Sequence, residues 1–336
     1  MLFRLFKSLT ALSLALIVFF CAERTLNSAE TAQKGWSTKA PLLEANSEMA
    51  VAELNGKIYV LGGYPSTRVT VGTVQVYDPK TDRWELTAPL PQPVNHTMAA
   101  AVNGKLYVIG GQKNATSEPE KAGFVDTVFE YDPAKATWSR RASMPTARGG
   151  GAAAIVDGKI YVAGGRPPRG HDFAVYDPST DKWATLPDLP TQRNHIAAAA
   201  IGGKVFVVGG RFEGGFRSKM TGALEVFDPK NNAWTNRKPM PTIRGGINGI
   251  EANGCFHVFG GEGPNPYPKG VFPQHEVYNP VTDSWTSLDP MPTPVHGVTG
   301  AAFVNGWIHL PGGGTEQGGS SGSTTHQVFH ATMQCR

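Results

Sequence analysis

Arginine, histidine and glutamate recur in this chain of 336 residues at fixed distances from small turn signals. Nine positions before the first residue of Asn55-Gly56, Asn103-Gly104, Asp157-Gly158, Gly202-Gly203, Asn253-Gly254 and Asn305-Gly306 stand Asn46, Val94, Arg148, Arg193, Arg244 and His296. Directly after six glycine pairs stand Tyr64, Gln112, Arg166, Arg211, Glu262 and Gly314. Two residues on from the first set come Glu48, His96 and His195. A guanidinium pairs bidentately with carboxylate or phosphate, so the five arginines suit an anionic ligand: an acidic sugar, a carboxylate or an acidic peptide tail. A second reading makes Arg148, Arg193 and Arg244 framework residues, because they repeat in one register. His96, His195 and His296 raise the question of zinc or copper. Glu48 with His96, or Glu262 with Arg211, has the composition of an acid–base pair. A Gly-x-Ser-x-Gly elbow, a phosphate loop and a His-Glu-x-x-His motif are all absent from the sequence.

The elements that must position these residues are short strands. The glycine pairs Gly62-Gly63, Gly110-Gly111, Gly164-Gly165, Gly209-Gly210, Gly260-Gly261 and Gly312-Gly313 are spaced by 48, 54, 45, 51 and 52 residues. Before each lies a hydrophobic run such as Lys57-Ile58-Tyr59-Val60-Leu61, and before that a turn pair that accepts the positive φ of a tight hairpin. Downstream comes an aromatic–acid–proline turn and then tryptophan: Tyr77-Asp78-Pro79 with Trp84, Tyr131-Asp132-Pro133 with Trp138, and Tyr176-Asp177-Pro178 with Trp183. Phe227-Asp228-Pro229 with Trp234, and Tyr278-Asn279-Pro280 with Trp285, continue the series. Each period therefore reads as four antiparallel strands.

These motifs resemble the kelch repeat, and the resemblance covers residues from about 35 to 336. It implies an all-β chain folded as a six-bladed kelch-type β-propeller with four antiparallel strands per blade. The expected blades span about 43–90, 91–144, 145–189, 190–240, 241–291 and 292–336. The sixth lacks an aspartate–proline turn and a fourth strand. Trp36-Ser37-Thr38-Lys39-Ala40-Pro41-Leu42 mirrors Trp84-Glu85-Leu86-Thr87-Ala88-Pro89-Leu90, so an N-terminal strand at about 35–40 should complete blade six and leave no open edge.

In such a ring the two sets of residues surround one channel mouth, where five arginines and three histidines face two acids. The arginines should line one side, with Glu48, Tyr64 and the loop 314–325 opposite. The histidines come from alternate blades and from two heights, which argues against their meeting at one metal ion. Kelch propellers include a copper oxidase of galactose that needs a cross-linked tyrosine–cysteine pair, and neither Cys255 nor Cys335 is placed for that. They also include an isomerase of sialic acid, the closer analogue for an exported protein. Cys255 opens the second strand of blade five and Cys335 ends the third strand of blade six, both opposite the mouth. That geometry allows a disulfide if their radii agree. Residues 262–273 form a proline-rich, partly aromatic flap, and Asn95-His96-Thr97 and Asn114-Ala115-Thr116 are glycosylation sequons.

Glycine at 40 and proline at 26 far exceed their usual share of ~12%, yet hydrophobic residues make up 40% and charged ones only 17%. Disorder, coiled coil and helical bundle are thereby excluded, and a net charge of +4 gives no reason to expect nucleic acid. Arg4 and Lys7 precede an uncharged stretch from Leu9 to Ala22, too short for a membrane span and suited to an export signal ending at Ala29. An uncleaved anchor is the alternative. Without residues 1–29 the formal charge falls to +2. The expectation is an exported (periplasmic or extracellular) binding module with a protein, acidic or carbohydrate ligand. It has no cofactor, no metal and no membrane association once the signal is cleaved. The alternative is a carbohydrate-active enzyme of the sialic-acid mutarotase or epimerase type.

Overall fold

The computed structural model describes residues 35–336, so the stretch read as an export signal and its cleavage point lie outside the described residues. The chain forms six β-sheets arranged as the blades of a propeller. Blade one consists of Met49–Leu54, Lys57–Leu61, Val74–Asp78 and Arg83–Leu86, each pairing antiparallel with the next. The two-residue turn signals sit between the first two strands of each blade, with Asn55 at φ 54° and Gly56 at φ 77°, as a two-residue hairpin with matched twist requires. The innermost strands carry alanine runs such as Ala99–Ala101 and Ala197–Ala200, small enough for six strands to crowd around one axis. They enclose an open lumen of about 390 Å³ that also exposes Glu53 and Glu251.

Blade six is closed by the chain's beginning. Trp36–Thr38 pairs antiparallel with His326–His330, with Trp36 opposite Phe329, as its sequence likeness to the Trp84 strand implies. The same hydrogen bond staples every blade to its neighbour. Trp84, Trp138, Trp183, Trp234 and Trp285 donate from Nε1 to the backbone carbonyls of Ala40, Ala88, Ala142, Pro187 and Lys238. Trp36 donates to Asp289 and so repeats the staple across the seam. Each tryptophan of blades one to five also packs on the aromatic of its own Asx-Pro turn, as Tyr77 and Trp84 do with centroids 5.1 Å apart. Cys255 and Cys335 are joined in a disulfide, with Cα atoms 5.1 Å apart, on the face of the Asn-Gly turns.

Blade six departs from the others at its inner strand, which is interrupted at Gly300-Ala301. Val298–Thr299 pairs parallel with Met49–Ala50 of blade one, and Ala302–Val304 resumes the blade. One extra residue is accommodated there, and this shifts the register of everything before it.

Candidate functional site

Around the axis, six residues at equivalent positions form a closed ring of backbone hydrogen bonds. His96 N–H donates to Glu48 O (2.7 Å), Gly150 to His96 (2.8 Å), His195 to Gly150 (2.7 Å), Gly246 to His195 (2.9 Å) and Gly297 to Gly246 (3.1 Å). Glu48 N–H donates to Gly297 O and completes the circuit. All six have positive φ, which glycine adopts freely. In blades one, two and four the residue is instead Glu48 (φ 53°), His96 (φ 51°) or His195 (φ 56°), a left-handed placement that costs roughly 1–2 kcal/mol each. Three ionisable side chains are thus held against the axis at an energetic cost. A Cβ on Gly297 would lie 2.7 Å from Glu48 Oε1, so a side chain there would have to displace that carboxyl.

One layer outward, the residues that follow the glycine pairs bridge back to the chain just before the ring. Tyr64 pairs with Ser47, Gln112 with Asn95, Arg211 with Asn194, Glu262 with Gly245 and Gly314 with His296. Arg166 N–H donates to Gly149 O in the same register. His296 therefore stands level with Asn95 and Asn194, one position beyond the register expected for it, and Val295 occupies the place of Arg193. The extra residue at Gly300-Ala301 accounts for the offset.

Glu48, His96, His195, Arg166, Arg211, Glu262, His296 and Tyr64 converge above the ring, and all are buried. The histidines do come from two heights, but the expectation that this keeps them apart is corrected: His96 and His195 rings lie 5.0 Å apart, and His296 Nδ1 is 3.9 Å from Glu48 and 3.6 Å from Glu262. Alternate blades meet because the ring is only six residues around. Asn95 and Asn194 accept from the Nδ1 atoms of His96 and His195 (2.5 Å each), which leaves both Nε2 atoms as acceptors. Arg166 Nη2 donates to His96 Nε2 (3.0 Å) and Arg211 Nη2 to His195 Nε2 (2.6 Å). Arg211 Nη1 also pairs with Glu262 at 2.6 Å. His296 Nε2 donates to the carbonyls of Glu316 (2.8 Å) and Gly318 (3.1 Å).

The two carboxyl groups are driven in opposite directions. Burial pushes Glu48 above the usual carboxylate range, against the pull of His296 and the arginines. Its Oε2 lies 3.0 Å from His96 Nε2. Burial acts on Glu262 as well, but His296, Arg211 and the Gly318 N–H outweigh it and hold that carboxyl below its usual value. Burial and the neighbouring arginines hold His96 and His195 neutral, far below the usual imidazole range. Arg166 is lowered to about 10 by burial and by Arg211. Among the described residues no carboxylate lies within 4.0 Å of its guanidinium. It bonds instead to His96 and to Thr116 O, and its Nε has no partner.

Glu48, His96 and His195 each offer a ligand atom within 4.8 Å of one another, the spacing of a metal site. Both imidazole lone pairs already accept from arginine, however, and two guanidinium charges at that point oppose a divalent cation. The mouth is also not open. A Cβ on Gly214 would sit 2.3 Å from Ser117 O, and one on Gly318 would sit 3.3 Å from the Phe216 ring, so loops of blades two, four and six touch over the cluster. The cavity left between Glu48, His96 and His195 is about 10 Å³, the space of one water.

Arg148, Arg193 and Arg244 are not at this mouth. Their side chains are fully buried inside blades three, four and five. Arg193 Nη2 pairs with Glu225 at 2.7 Å and Arg244 with Glu276, while Arg148 Nη1 reaches only Asp172 at 3.7 Å. The one-sided wall of five arginines is thus corrected to two arginines at the axis and three within blades. The orienting asparagines were not singled out from sequence, although Asn95-His96 and Asn194-His195 repeat the same dipeptide in one register. Asn95 is buried, which removes its sequon as a glycan acceptor.

Comparison with known proteins agrees with the architecture. Residues 15–188 match the KLHDC2/KLHL20/DRC7 Kelch-repeats domain and residues 192–241 match the Kelch motif. Kelch-like protein terF of Aspergillus terreus is 32% identical over 84% of this chain and 53% of its own length. Kelch-like protein 25 of Xenopus tropicalis is 31% identical over 84% of this chain and 38% of its own. The chain thus spans about half or less of these relatives. The solved structure of YjhT superimposes with a TM-score of 0.70 at 17% identity, covering 87% of this chain and 97% of that one, which speaks to fold alone. The repeats, the blades and these relatives together identify the chain as a member of the kelch-repeat family.

Proposed function

We propose that this kelch propeller is a binding module, exported as its N-terminal stretch suggests, that takes an anionic group of its ligand at the axis beneath the loop face. The observation that carries the reading is Arg166: a buried cation with no carboxylate partner among the described residues and an idle Nε. Buried charges are normally paired, and a carboxylate from an acidic sugar or an acidic peptide would supply the missing partner. The loops 113–123 and 314–325 lie over the site, so entry requires them to lift. Titration calorimetry with N-acetylneuraminic acid, glucuronic acid and an acidic peptide tests this, beside Arg166→Met. Binding should vanish in the variant while its unliganded melting temperature holds or rises, since an unpaired charge has been removed. Equal binding by Arg166→Met, or none by the parent protein, overturns the reading.

A second reading has one specific support. The environment raises Glu48 and lowers Glu262 on either side of the His296 imidazole, the opposed pair of carboxyl groups that an acid–base isomerisation of a sugar uses. Anomer exchange followed by NMR during the same titrations separates catalysis from binding.

A further inference from the structure

The six blades provide an internal comparison at the position of Ala174. The third-strand residue paired with the second strand two places before the glycine pair is Gln75, Ala174, Glu225, Glu276 and Gln327 in blades one, three, four, five and six. Its partner in the inner chain covaries with it. Arg193 faces Glu225 and Arg244 faces Glu276, whereas Gln75 and Gln327 bond to the backbone of Glu44 and Thr293, where Asn46 and Val295 replace the arginine. In blade two the pair is apolar, Val94 and Phe129. Blade three alone keeps the arginine and loses the acid.

The consequence is visible in space. Arg148 is fully buried, yet its Nε and Nη1 have no hydrogen-bond partner, and only Nη2 donates, to Val162 O at 3.2 Å. Beside it opens a cavity of about 170 Å³ lined by Thr146, Arg148, Arg169, Asp172, Ala174 and Thr185, with others. In blades four and five Thr191 and Thr242 donate to the internal glutamate at 2.6 and 2.7 Å. The equivalent Thr146 instead turns to Asp172 Oδ2 at 2.6 Å, an acid one-quarter exposed and beyond hydrogen-bond reach of Arg148. Arg169 stands at the rim, its Nε 4.0 Å from Asp172.

We propose that this cavity is a second binding site, distinct from the axis, which takes a carboxylate from outside into the place that Glu225 and Glu276 fill from within. The idle Nε and Nη1 of Arg148 lie on different edges of the guanidinium, so each offers a single hydrogen bond to a carboxylate oxygen. Asp172 limits the site to a small monoanion, because a larger negative charge meets it directly. The ligand is a free short-chain carboxylate or the carboxylate end of an acidic side chain on a partner.

Thermal shift at constant ionic strength tests this with acetate, propionate, acetamide, sodium chloride and a short glutamate-containing peptide. Acetate or propionate should raise the melting temperature saturably, and acetamide and chloride should not. A peptide that acts at least tenfold below acetate in concentration assigns the site to a partner's side chain, and one that acts no better assigns it to a free carboxylate. Ala174→Glu installs the internal acid. It should raise the unliganded melting temperature and abolish the acetate response, as should the second variant, Arg148→Met, where it folds. The response should persist in Arg166→Met, which keeps a failure here apart from a failure of the axial reading. A carboxylate effect no larger than that of chloride, or one retained in Ala174→Glu, overturns the proposal.

Discussion

Replacing Arg193 tests whether the recurrent arginines hold the blades. The guanidinium is fully buried and bonds to Glu225 at 2.7 Å, Ala223 O at 2.7 Å and Val207 O at 3.2 Å. Arg193→Met retains most of the stem but strands Glu225, also buried, with only the Thr191 hydroxyl and N–H beside it. Removing one member of a buried ion pair costs about 3–5 kcal/mol, most of it for the charge left behind. The double variant Arg193→Met with Glu225→Gln removes that charge as well. It copies blade six, where Gln327 accepts from Thr293 N–H at 2.8 Å and donates to its carbonyl at 2.7 Å. The double variant should therefore recover at least half of the loss, a coupling of about 2 kcal/mol. Urea denaturation followed by tryptophan fluorescence measures both values. A single variant within about 1 kcal/mol of the parent, or a double variant no better than the single, refutes the framework role.

Three further outcomes are expected. Trp36→Ala removes a buried indole and the seam's staple to Asp289, and should lower stability by about 3–5 kcal/mol while favouring association through the loosened edge; unchanged denaturation and a monomeric elution profile would count against the seam. His257 bonds to His275 and His309 to His326, each pair at 2.9 Å, and burial lowers His257 and His326 to about 4 and His309 to about 3. The unfolded chain takes up these protons first, so stability should be full above about pH 7 and fall as pH drops from about 6.5 towards 4, by up to ~1.4 kcal/mol per pH unit per histidine. A flat profile of denaturation midpoints between pH 7.5 and 5 would contradict the burial of these rings as neutral pairs. Cys335→Ser opens a loop spanning 80 residues and should cost up to about 4 kcal/mol, and thiol titration of the unreduced, unfolded chain should detect neither Cys255 nor Cys335.

The sequence was most readable where a residue type has one conformational use. Asn-Gly and Gly-Gly demand positive φ, so they marked the hairpins and the phase of all six repeats, and Trp36 announced the closing strand by its likeness to Trp84. The depth of Arg148, Arg193 and Arg244 was not readable in the same way. Their partners Glu225 and Glu276 stand 32 residues further along, in strands such as Leu224-Glu225-Val226-Phe227-Asp228, where a charge looks outward by simple alternation. Nor could spacing place His296, since one inserted residue at an interrupted strand slides the count. The convergence of Glu48, His96 and His195 depends on how narrow the axis is, and that is a property of the closed ring rather than of any local pattern.

The circuit of hydrogen bonds from Glu48 round to Gly297 makes the propeller a bowl rather than a tube. The alanine-lined lumen and the ionisable cluster lie on opposite sides of one sealed floor, so a molecule that reaches the cluster must leave by the way it came. Traffic at the axis is thereby confined to the loop side, and the rate at which the loops 113–123 and 314–325 part sets both arrival and departure. A spin label placed in the lumen beside Ala100 should accordingly meet solvent relaxation agents freely and stay indifferent to anything bound above the floor.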